Sequence, residues 1–189
     1  MKIKLSDFPK INLEKVLAST QNSKSFILGP SVQKFEEQFA EYTGSEACAG
    51  TGNCTDSLRM CLQALGIGPG SRVAVPSFTW LSTAEVVKQL YASPVFVDID
   101  TSLCMDPESL LSVIDSVDAV IYVNLFGNVA DIAGIQRVAG SVPVIEDNAQ
   151  CFLGKYKGKM VGTIGDIASF SFENSKHMSC GEGGIIITD

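Results

Sequence analysis

The alternation of apolar and polar positions predicts a chain built from helices and strands in turn. Residues 30–44 and 55–66 carry apolar side chains every three or four positions, which is the spacing of one buried helix face. Ser82-Thr83 is typical of a helix start, and so is the proline at the first helical position in Asp106-Pro107. The pattern therefore predicts helices over 30–44, 55–66, 82–91, from 106 onward and over 130–139.

Short β-rich runs lie between these predicted helices. Each run is apolar and is bounded by glycine, proline or a polar turn. The predicted strands cover residues 72–75, 94–98, 118–123, 143–146, 167–172 and 184–188. Strands that alternate with helices predict the α/β fold class, with a mostly parallel sheet covered by helices on both faces.

Length and composition agree with one compact domain. The chain has 189 residues, of which 46% are hydrophobic and 19% are charged, so it can bury a core and is not a disordered protein. Its net charge of -7 excludes a broad binding surface for nucleic acid or for an anionic membrane. No apolar run reaches the roughly 18 residues that a membrane span needs. We expect a cytoplasmic protein.

Cysteine and histidine usage argues against a metal site. The chain has six cysteines and one histidine, His177, and no two cysteines are spaced as C-x-x-C. No zinc-binding pattern can be assembled from this set. We expect a reducing compartment, with the cysteines buried as small apolar residues.

A short polar run at the start of a predicted helix is a candidate anion site. The run is Gly52-Asn53-Cys54-Thr55. Ligands of parallel α/β sheets bind outside the carboxyl ends of the strands, which separately singles out residues 77–80, 124–127, 147–150 and 171–176. Free N–H groups at a helix N-terminus attract phosphate, and the Thr55 hydroxyl adds a donor. The run is neither a P-loop nor a dinucleotide fingerprint, because it has no Gly-Lys-Ser/Thr ending and no third glycine. Read alone, an ordinary helix cap is the more frequent explanation.

A carboxylate and a lysine are the other candidate functional residues. Asp147 follows the strand 143–146, and its neighbour Glu146 faces the opposite side of the sheet because side chains alternate along a strand. Lys176 lies just before the glycine-rich turn 181–184. A lysine amine in an apolar pocket is a nucleophile toward carbonyl groups, although most lysines are simply solvated. A turn or cap role for Asp147 is equally compatible with its position.

These candidates are more informative together than apart. A phosphate cradle, a strand-end carboxylate and a lysine that forms a Schiff base are the protein contacts that pyridoxal 5′-phosphate (PLP) requires. Trp80 offers a flat apolar surface suited to stacking on the cofactor ring, with core packing as the simpler explanation. The combination predicts a PLP-dependent enzyme.

Three stretches of the sequence resemble the DegT/DnrJ/StrS-type sugar aminotransferases. They are GTGNCTDSLRMCLQALGIGPGSRVAVPSFTWLSTA, FVDID with VNLFGNVADI, and VIEDNAQCFLGKYKGKMVGTIGDIASFSFENSKHMSCGEGG. The resemblance runs from about Leu28 to the end of the chain. It implies the three-layer α/β/α large domain of fold type I PLP transferases. Residues 1–29 would then be an N-terminal arm, and residues 30–189 the PLP-binding large domain.

The resemblance also implies roles for residues around the cofactor ring. Lys176 is expected to form the Schiff base and to shuttle a proton between the substrate and the cofactor. Asp147 is expected to pair with the pyridinium nitrogen, Gln150 to contact the ring hydroxyl, and Trp80 to stack on the ring face.

The same resemblance implies a phosphate site and a reaction. Cys54, Thr55 and Ser171 are expected to hold the cofactor phosphate, Cys54 through its backbone N–H. The implied reaction moves an amino group from glutamate or glutamine to a keto group of a nucleotide-linked sugar, for polysaccharide or glycoside biosynthesis. The expected partners are that keto-sugar nucleotide, the amino donor and a second subunit of a homodimer.

Two alternatives stay open. Members of the family continue into a small C-terminal domain, which the resemblance implies is absent here, so a truncated and inactive fragment is one alternative. A related PLP-dependent sugar dehydratase or lyase is the other. Lys176 argues against a dehydratase, because the related sugar 3-dehydratases carry histidine at that position.

Overall fold

The computed structural model describes residues 12–21, 25 and 27–189. Of the predicted arm over residues 1–29, residues 1–11, 22–24 and 26 lie outside the described residues. The helices are α1 (Leu13–Gln21), α2 (Pro30–Thr43), α3 (Cys54–Ala64), α4 (Ser82–Gln89), α5 (Pro107–Leu111) and α6 (Ile132–Ala139). The strands are β1 (Ala47–Thr51), β2 (Arg72–Pro76), β3 (Ser93–Val97), β4 (Ala119–Val123), β5 (Val144–Asp147), β6 (Lys155–Tyr156), β7 (Lys159–Met160), β8 (Ile167–Ser171) and β9 (Gly184–Thr188).

Within the described residues, seven strands form one sheet in the order β1-β9-β8-β5-β4-β2-β3. The pairs β2–β3, β2–β4, β4–β5 and β5–β8 are parallel, whereas β9 runs antiparallel to both β8 and β1. The prediction of a mostly parallel α/β sheet is confirmed. Because the parallel strands share a direction, their carboxyl ends meet at one edge, where ligands of such sheets bind.

Helices cover both faces of the sheet, as a three-layer fold requires. On one face, α3 and α4 pack through Leu58, Leu62 and Val86 against the inward side chains of β2, β4 and β5. On the other face, α5 and α6 pack through Leu110 and Ile135. There α2 covers β8 and β9 with a cluster of phenylalanines. Apolar burial on both faces explains why the central strands are almost wholly apolar.

The structure differs from the sequence prediction where tertiary contacts outweigh local preference. Strand β1 has the sequence ACAGT, which lacks the β-branched run of a typical strand, and it forms because five of its residues pair with β9. Ser82 and Thr83 do not cap α4 through their side chains: its N-cap residue is Leu81. The hydroxyl of Thr83 instead points into the ligand-binding edge, as described below.

The prediction that the cysteines are buried is wrong for two of the six. Cys180 is exposed and Cys48 is half-buried, whereas the other four are buried. Cys180 lies in a glycine-rich turn, where the chain turns back before β9 and leaves its side chain at the surface. Among the described residues, no helix is long and apolar enough to cross a membrane. The cytoplasmic location stays a prediction.

Candidate active site

A cleft of about 1280 Å³ opens at the carboxyl ends of the parallel strands. Its walls come from the start of α3, the segment after β2, the ends of β4 and β5, and the segment between β8 and β9. All seven residues singled out in the sequence line this one cleft: Cys54, Thr55, Trp80, Asp147, Gln150, Ser171 and Lys176. Residues up to 122 positions apart in the chain, Cys54 and Lys176, thus line the same cleft (176 − 54).

The N-terminus of α3 points its first amide groups into the cleft. The N-cap residue is Asn53, whose side chain accepts the N–H of Asp56 at 2.8 Å and whose carbonyl accepts the N–H of Ser57. Cys54 and Thr55 precede those two residues, and within the described part of the chain their N–H groups have no acceptor. Two free donors at the positive end of a helix dipole form an anion site. Thr55 is therefore not the helix cap.

Close packing of β9 holds this helix terminus in place. Gly184 opens β9, and a Cβ added there would lie 2.6 Å from three atoms: the backbone carbon of Asn53, Oγ of Ser57 and Oγ1 of Thr51. The residue must be glycine because the neighbouring atoms include main chain, which cannot rotate away. The last glycine of the G-E-G-G motif thus fits the strand against the anion site.

We expect Gly184→Ala to lower the free energy of unfolding by about 1–3 kcal/mol, because an extra methyl group would be forced into a filled space. Gly52→Ala is the matched control: Gly52 lies beside the same helix, and an added Cβ there would meet no atom within 4 Å. That control should change the free energy of unfolding by about 0.5 kcal/mol or less in urea titrations. Equal losses in the two variants would contradict the packing argument.

Asp147 ends β5 as a carboxylate that is only 4% exposed. Its oxygens accept the Thr83 hydroxyl and the Ala149 N–H, each at 3.1 Å. Among the described residues no lysine or arginine forms a salt bridge with it. Burial raises the pKa of Asp147, while the two hydrogen bonds and the charge of Lys176 act in the opposite direction. A buried acid without an adjacent cation is costly, and this arrangement favours a ligand that brings a positive N–H group.

Glu146, the neighbour of Asp147, lies on the opposite face, as the alternation along the strand predicts. It is fully buried and accepts three backbone N–H groups, from Gly162, Ile164 and Gly165, at 2.6–2.8 Å. These bonds tie the segment before β8 to β5. Glu146 is thus part of the framework, and Asp147 alone of the pair reaches the cleft.

Lys176 lies in the segment between β8 and β9, where it is half-buried. Its backbone N–H donates to the carbonyl of Glu173, and the glycine turn that follows closes the segment. The amine attracts the buried carboxylate of Asp147 and the carboxylate of Glu173. The structure therefore places a lysine amine and a buried acid in the same cleft.

The thiols near these groups are not nucleophiles at neutral pH. Burial and the nearby carboxylate of Asp147 raise the pKa of Cys61 to about 12, and they raise that of Cys54 further. Cys54 Sγ lies 3.0 Å from Ser169 Oγ, so its side chain packs inward while its N–H faces the cleft. Neither thiol is therefore available for covalent chemistry in the cleft at neutral pH.

Trp80 and Gln150 lie on the walls of the cleft. Trp80 is 71% exposed, so core packing does not explain it. The side-chain oxygen of Gln150 accepts the backbone N–H of Phe126 at 3.1 Å, which leaves the amide NH₂ as the donor for a ligand. Ser171 Oγ accepts the N–H of Glu173 at 3.4 Å.

Sequence reasoning missed several residues of this cleft. Thr83 holds Asp147, and His177 also lines the cleft. Thr83 was placed at a helix cap, since Ser-Thr before an apolar run is a cap signal and gives no hint of a partner 64 positions away. Phe126 lies in the segment 124–127 after β4, which its position at a strand end singled out but to which no role was assigned.

The sequence matches the DegT/DnrJ/EryC1/StrS aminotransferase family over residues 10–189. The chain belongs to this family. The resemblance noted in the sequence is therefore confirmed, and so is the α/β fold of PLP-type aminotransferases.

Individual proteins of known activity or known structure are also similar to this chain. The UDP-2-acetamido-2-deoxy-3-oxo-D-glucuronate aminotransferase of Pseudomonas aeruginosa is 42% identical, over 87% of this chain and 47% of that protein. A solved DegT/DnrJ/EryC1/StrS aminotransferase from Brucella abortus is 40% identical with a TM-score of 0.85, over 93% of this chain and 49% of that one.

A dehydratase is also among the similar structures. GDP-4-keto-6-deoxymannose-3-dehydratase, solved with a trapped PLP-glutamate geminal diamine, is 31% identical with a TM-score of 0.91. The match covers 100% of this chain and 52% of that one. The chain thus spans about half the length of the relatives it matches.

Proposed function

We propose that the cleft binds PLP and that the protein moves an amino group from glutamate or glutamine to a keto group of a nucleotide-linked sugar. The observation that carries this proposal is the cleft itself, which joins a free helix N-terminus, a buried carboxylate that forms no salt bridge within the described residues, and a lysine amine. Membership of an aminotransferase family supports the reaction class, and a relative named for a UDP-linked keto sugar supports the substrate class.

The donors and acceptors of the cleft fit each part of PLP. The phosphate fits the free N–H groups of Cys54 and Thr55, with the hydroxyls of Thr55 and Ser171 nearby in the same wall. The pyridine ring fits beside the exposed indole of Trp80. The NH₂ group of Gln150 suits the ring oxygen, because the other end of the same amide is already engaged.

Asp147 is the proposed partner of the pyridine nitrogen. Burial raises its pKa more than the hydrogen bonds and the charge of Lys176 lower it, and a protonated ring nitrogen beside it would favour the ionised carboxylate. Thr83 and Ala149 fix the orientation of the carboxylate, so that the free lone pairs face the cleft. When bound, PLP supplies an electron-poor ring that stabilises negative charge on the substrate carbon.

Lys176 is the proposed catalytic residue. Its Nζ would hold the cofactor at the aldehyde carbon, with loss of water, and the same Nζ would accept and return the proton of the substrate carbon. The short segment between Glu173 and the glycine turn holds this amine beside the cleft. The thiols of Cys54 and Cys61 stay protonated and do not compete for the aldehyde.

Replacing Asp147 with asparagine tests its role through stability as well as binding. Burial raises the folded-state pKa of Asp147, so the stability it contributes is present below its unfolded pKa of about 3.9 and is lost as pH rises through the folded pKa. Without PLP, Asp147→Asn should therefore be at least as stable as the wild type at neutral pH, as measured by urea titrations from acidic to neutral pH.

The affinity of Asp147→Asn for PLP should fall at least roughly tenfold. If the free energy of unfolding of the wild type and of Asp147→Asn changed with pH in the same way, the buried-acid role of Asp147 would be contradicted. An unchanged PLP affinity would contradict its role as partner of the ring nitrogen.

An assay of the product separates the proposed reaction from its alternatives. The chain is incubated with PLP, glutamate and a UDP-linked 3-keto sugar, and the sugar nucleotide is analysed by mass spectrometry. Replacement of the keto oxygen by an amino group supports aminotransfer, whereas loss of water supports the dehydratase alternative. Lys176 favours aminotransfer, since the resemblance gives the 3-dehydratases histidine there. PLP binding without any product supports the inactive-fragment alternative.

The working assembly is the remaining part of the proposal. The resemblance to family members implies a homodimer, and we propose that form for this protein as well. Sedimentation velocity with and without PLP measures the oligomeric state directly. A chain that stays monomeric at every concentration would contradict the dimer.

A further inference from the structure

An exposed aromatic pair lies beside the cleft: Phe126 lines it, and Phe78 contacts Phe126. Phe126 is 66% exposed and Phe78 is 50% exposed. Their ring centroids are 6.5 Å apart at an interplanar angle of 65°, so one ring meets the other edge-on. Two phenylalanines that contact each other but leave their outer surfaces in water form an apolar surface open to a ligand.

Phe126 is held in its exposed place by the backbone. Its φ of 56° and ψ of 25° are left-handed, a conformation that bulky residues rarely adopt, and Gly127 follows at φ 83°. The N–H of Phe126 donates to the side-chain oxygen of Gln150. Strained backbone of this kind persists where surrounding contacts fix it, and it is concentrated at ligand-binding sites.

A left-handed backbone alone does not mark a site, and Tyr91 shows the difference. Tyr91 is 81% exposed at φ 57°, but it follows the end of α4, where its N–H donates to Lys88 as in an ordinary helix end. It does not line the cleft. Phe126 differs because it lines the cleft, touches a second exposed ring and is hydrogen-bonded to a side chain of the proposed cofactor site.

We propose that Phe126, supported by Phe78, is a specificity residue that packs against a flat apolar face of the sugar-nucleotide substrate. This inference rests on the proposed function. The proposed cofactor contact of Gln150 is its NH₂ group, and its oxygen accepts the backbone N–H of Phe126, so Phe126 lies next to the proposed cofactor site. Trp80 already provides the face for the cofactor ring, which leaves the Phe126 ring for the substrate.

Two parts of a sugar nucleotide offer such a face: the nucleobase and the C–H side of the sugar ring. Both have the same chemistry toward an aromatic ring, and they can be separated by titration. UDP carries the base without the sugar, whereas UDP-N-acetylglucosamine carries both. A loss of affinity for both ligands assigns the base, and a loss for the sugar nucleotide alone assigns the sugar ring.

The test is calorimetric titration of both ligands into the wild type and three variants. Phe126→Ala should raise the Kd of UDP-N-acetylglucosamine roughly tenfold, and Phe126→Tyr should restore most of the affinity because it keeps the ring. Tyr91→Ala is the matched control, an exposed left-handed aromatic residue away from the cleft, and should bind as the wild type does. The urea midpoint of Phe126→Ala should stay close to that of the wild type, because the side chain is mostly exposed.

Titrations with and without PLP keep this inference separate from the proposed function. Failure of PLP to bind would contradict the proposed function. The Kd values of the Phe126 variants for the sugar nucleotide, measured without PLP, would still test the inference. Equal Kd values for the wild type and Phe126→Ala would overturn the inference. The absence of saturable sugar-nucleotide binding by the wild type would overturn it as well.

Discussion

Replacing Lys176 with alanine should abolish the covalent attachment of PLP to this chain. Lys176 is the proposed source of the amine, and Cys54, the cysteine that lines the cleft among the described residues, cannot take its place because burial keeps its thiol protonated. The measurement is borohydride reduction of the protein–PLP mixture, followed by peptide mass spectrometry. The wild type should carry the reduced cofactor on the peptide that contains Lys176, and the variant should carry none.

A lysine outside the cleft provides the control for this experiment. Lys159 is exposed on the small hairpin of β6 and β7, so Lys159→Ala should retain the adduct in full. Surface lysines react weakly and without selectivity with aldehydes, so low labelling spread over many peptides is background. A cofactor adduct that persists at wild-type yield in Lys176→Ala would refute the assignment of the catalytic lysine.

Exchanging Glu146 for glutamine should cost about 2–4 kcal/mol of the free energy of unfolding. The carboxylate is fully buried, and its two oxygens accept three backbone N–H groups. Glutamine has the same size but turns one acceptor into a donor, which then faces an N–H group. A buried donor left without a partner costs about 1–3 kcal/mol, and the loss of a charged acceptor adds to that cost. Chemical denaturation of the cofactor-free chain measures the change.

Asp166 is the matched control for Glu146. It also accepts a backbone N–H from β5, that of Val144 at 2.7 Å, but its side chain is exposed to water. Asp166→Asn should therefore lose about 1 kcal/mol or less, because water replaces the missing acceptor. If both variants lost the same small amount, the three bonds of Glu146 would not be the anchor of this edge of the sheet.

The elements of the fold were predictable wherever local pattern and tertiary burial agree. Apolar periodicity located α2, α3 and the central strands, because both faces of the sheet are buried and each helix has one buried side. Strand β1 was not predictable, since its ACAGT sequence has low strand preference and pairs only because β9 lies beside it. The hairpin of β6 and β7 is two residues on each side, too short for a periodic signal.

The residues of the candidate site were likewise predictable only where the signal was local in the sequence. Asp147 and Lys176 were found by their places after a strand and before a glycine turn, which are local signals. The contact between Thr83 and Asp147 was not found, because it joins residues 64 positions apart. The need for glycine at 184 is likewise invisible in the sequence, since it arises from the start of α3 against β9.

The central claim, that this cleft is a PLP site, is tested most directly by tryptophan fluorescence. The chain has a single tryptophan, Trp80, and that residue lines the cleft. Titration with PLP should quench its emission in a saturable way, and Gly184→Ala, which disturbs the phosphate site, should raise the apparent Kd. A PLP titration that dims Trp80 no more than it dims a free tryptophan derivative, without saturation, would contradict the claim.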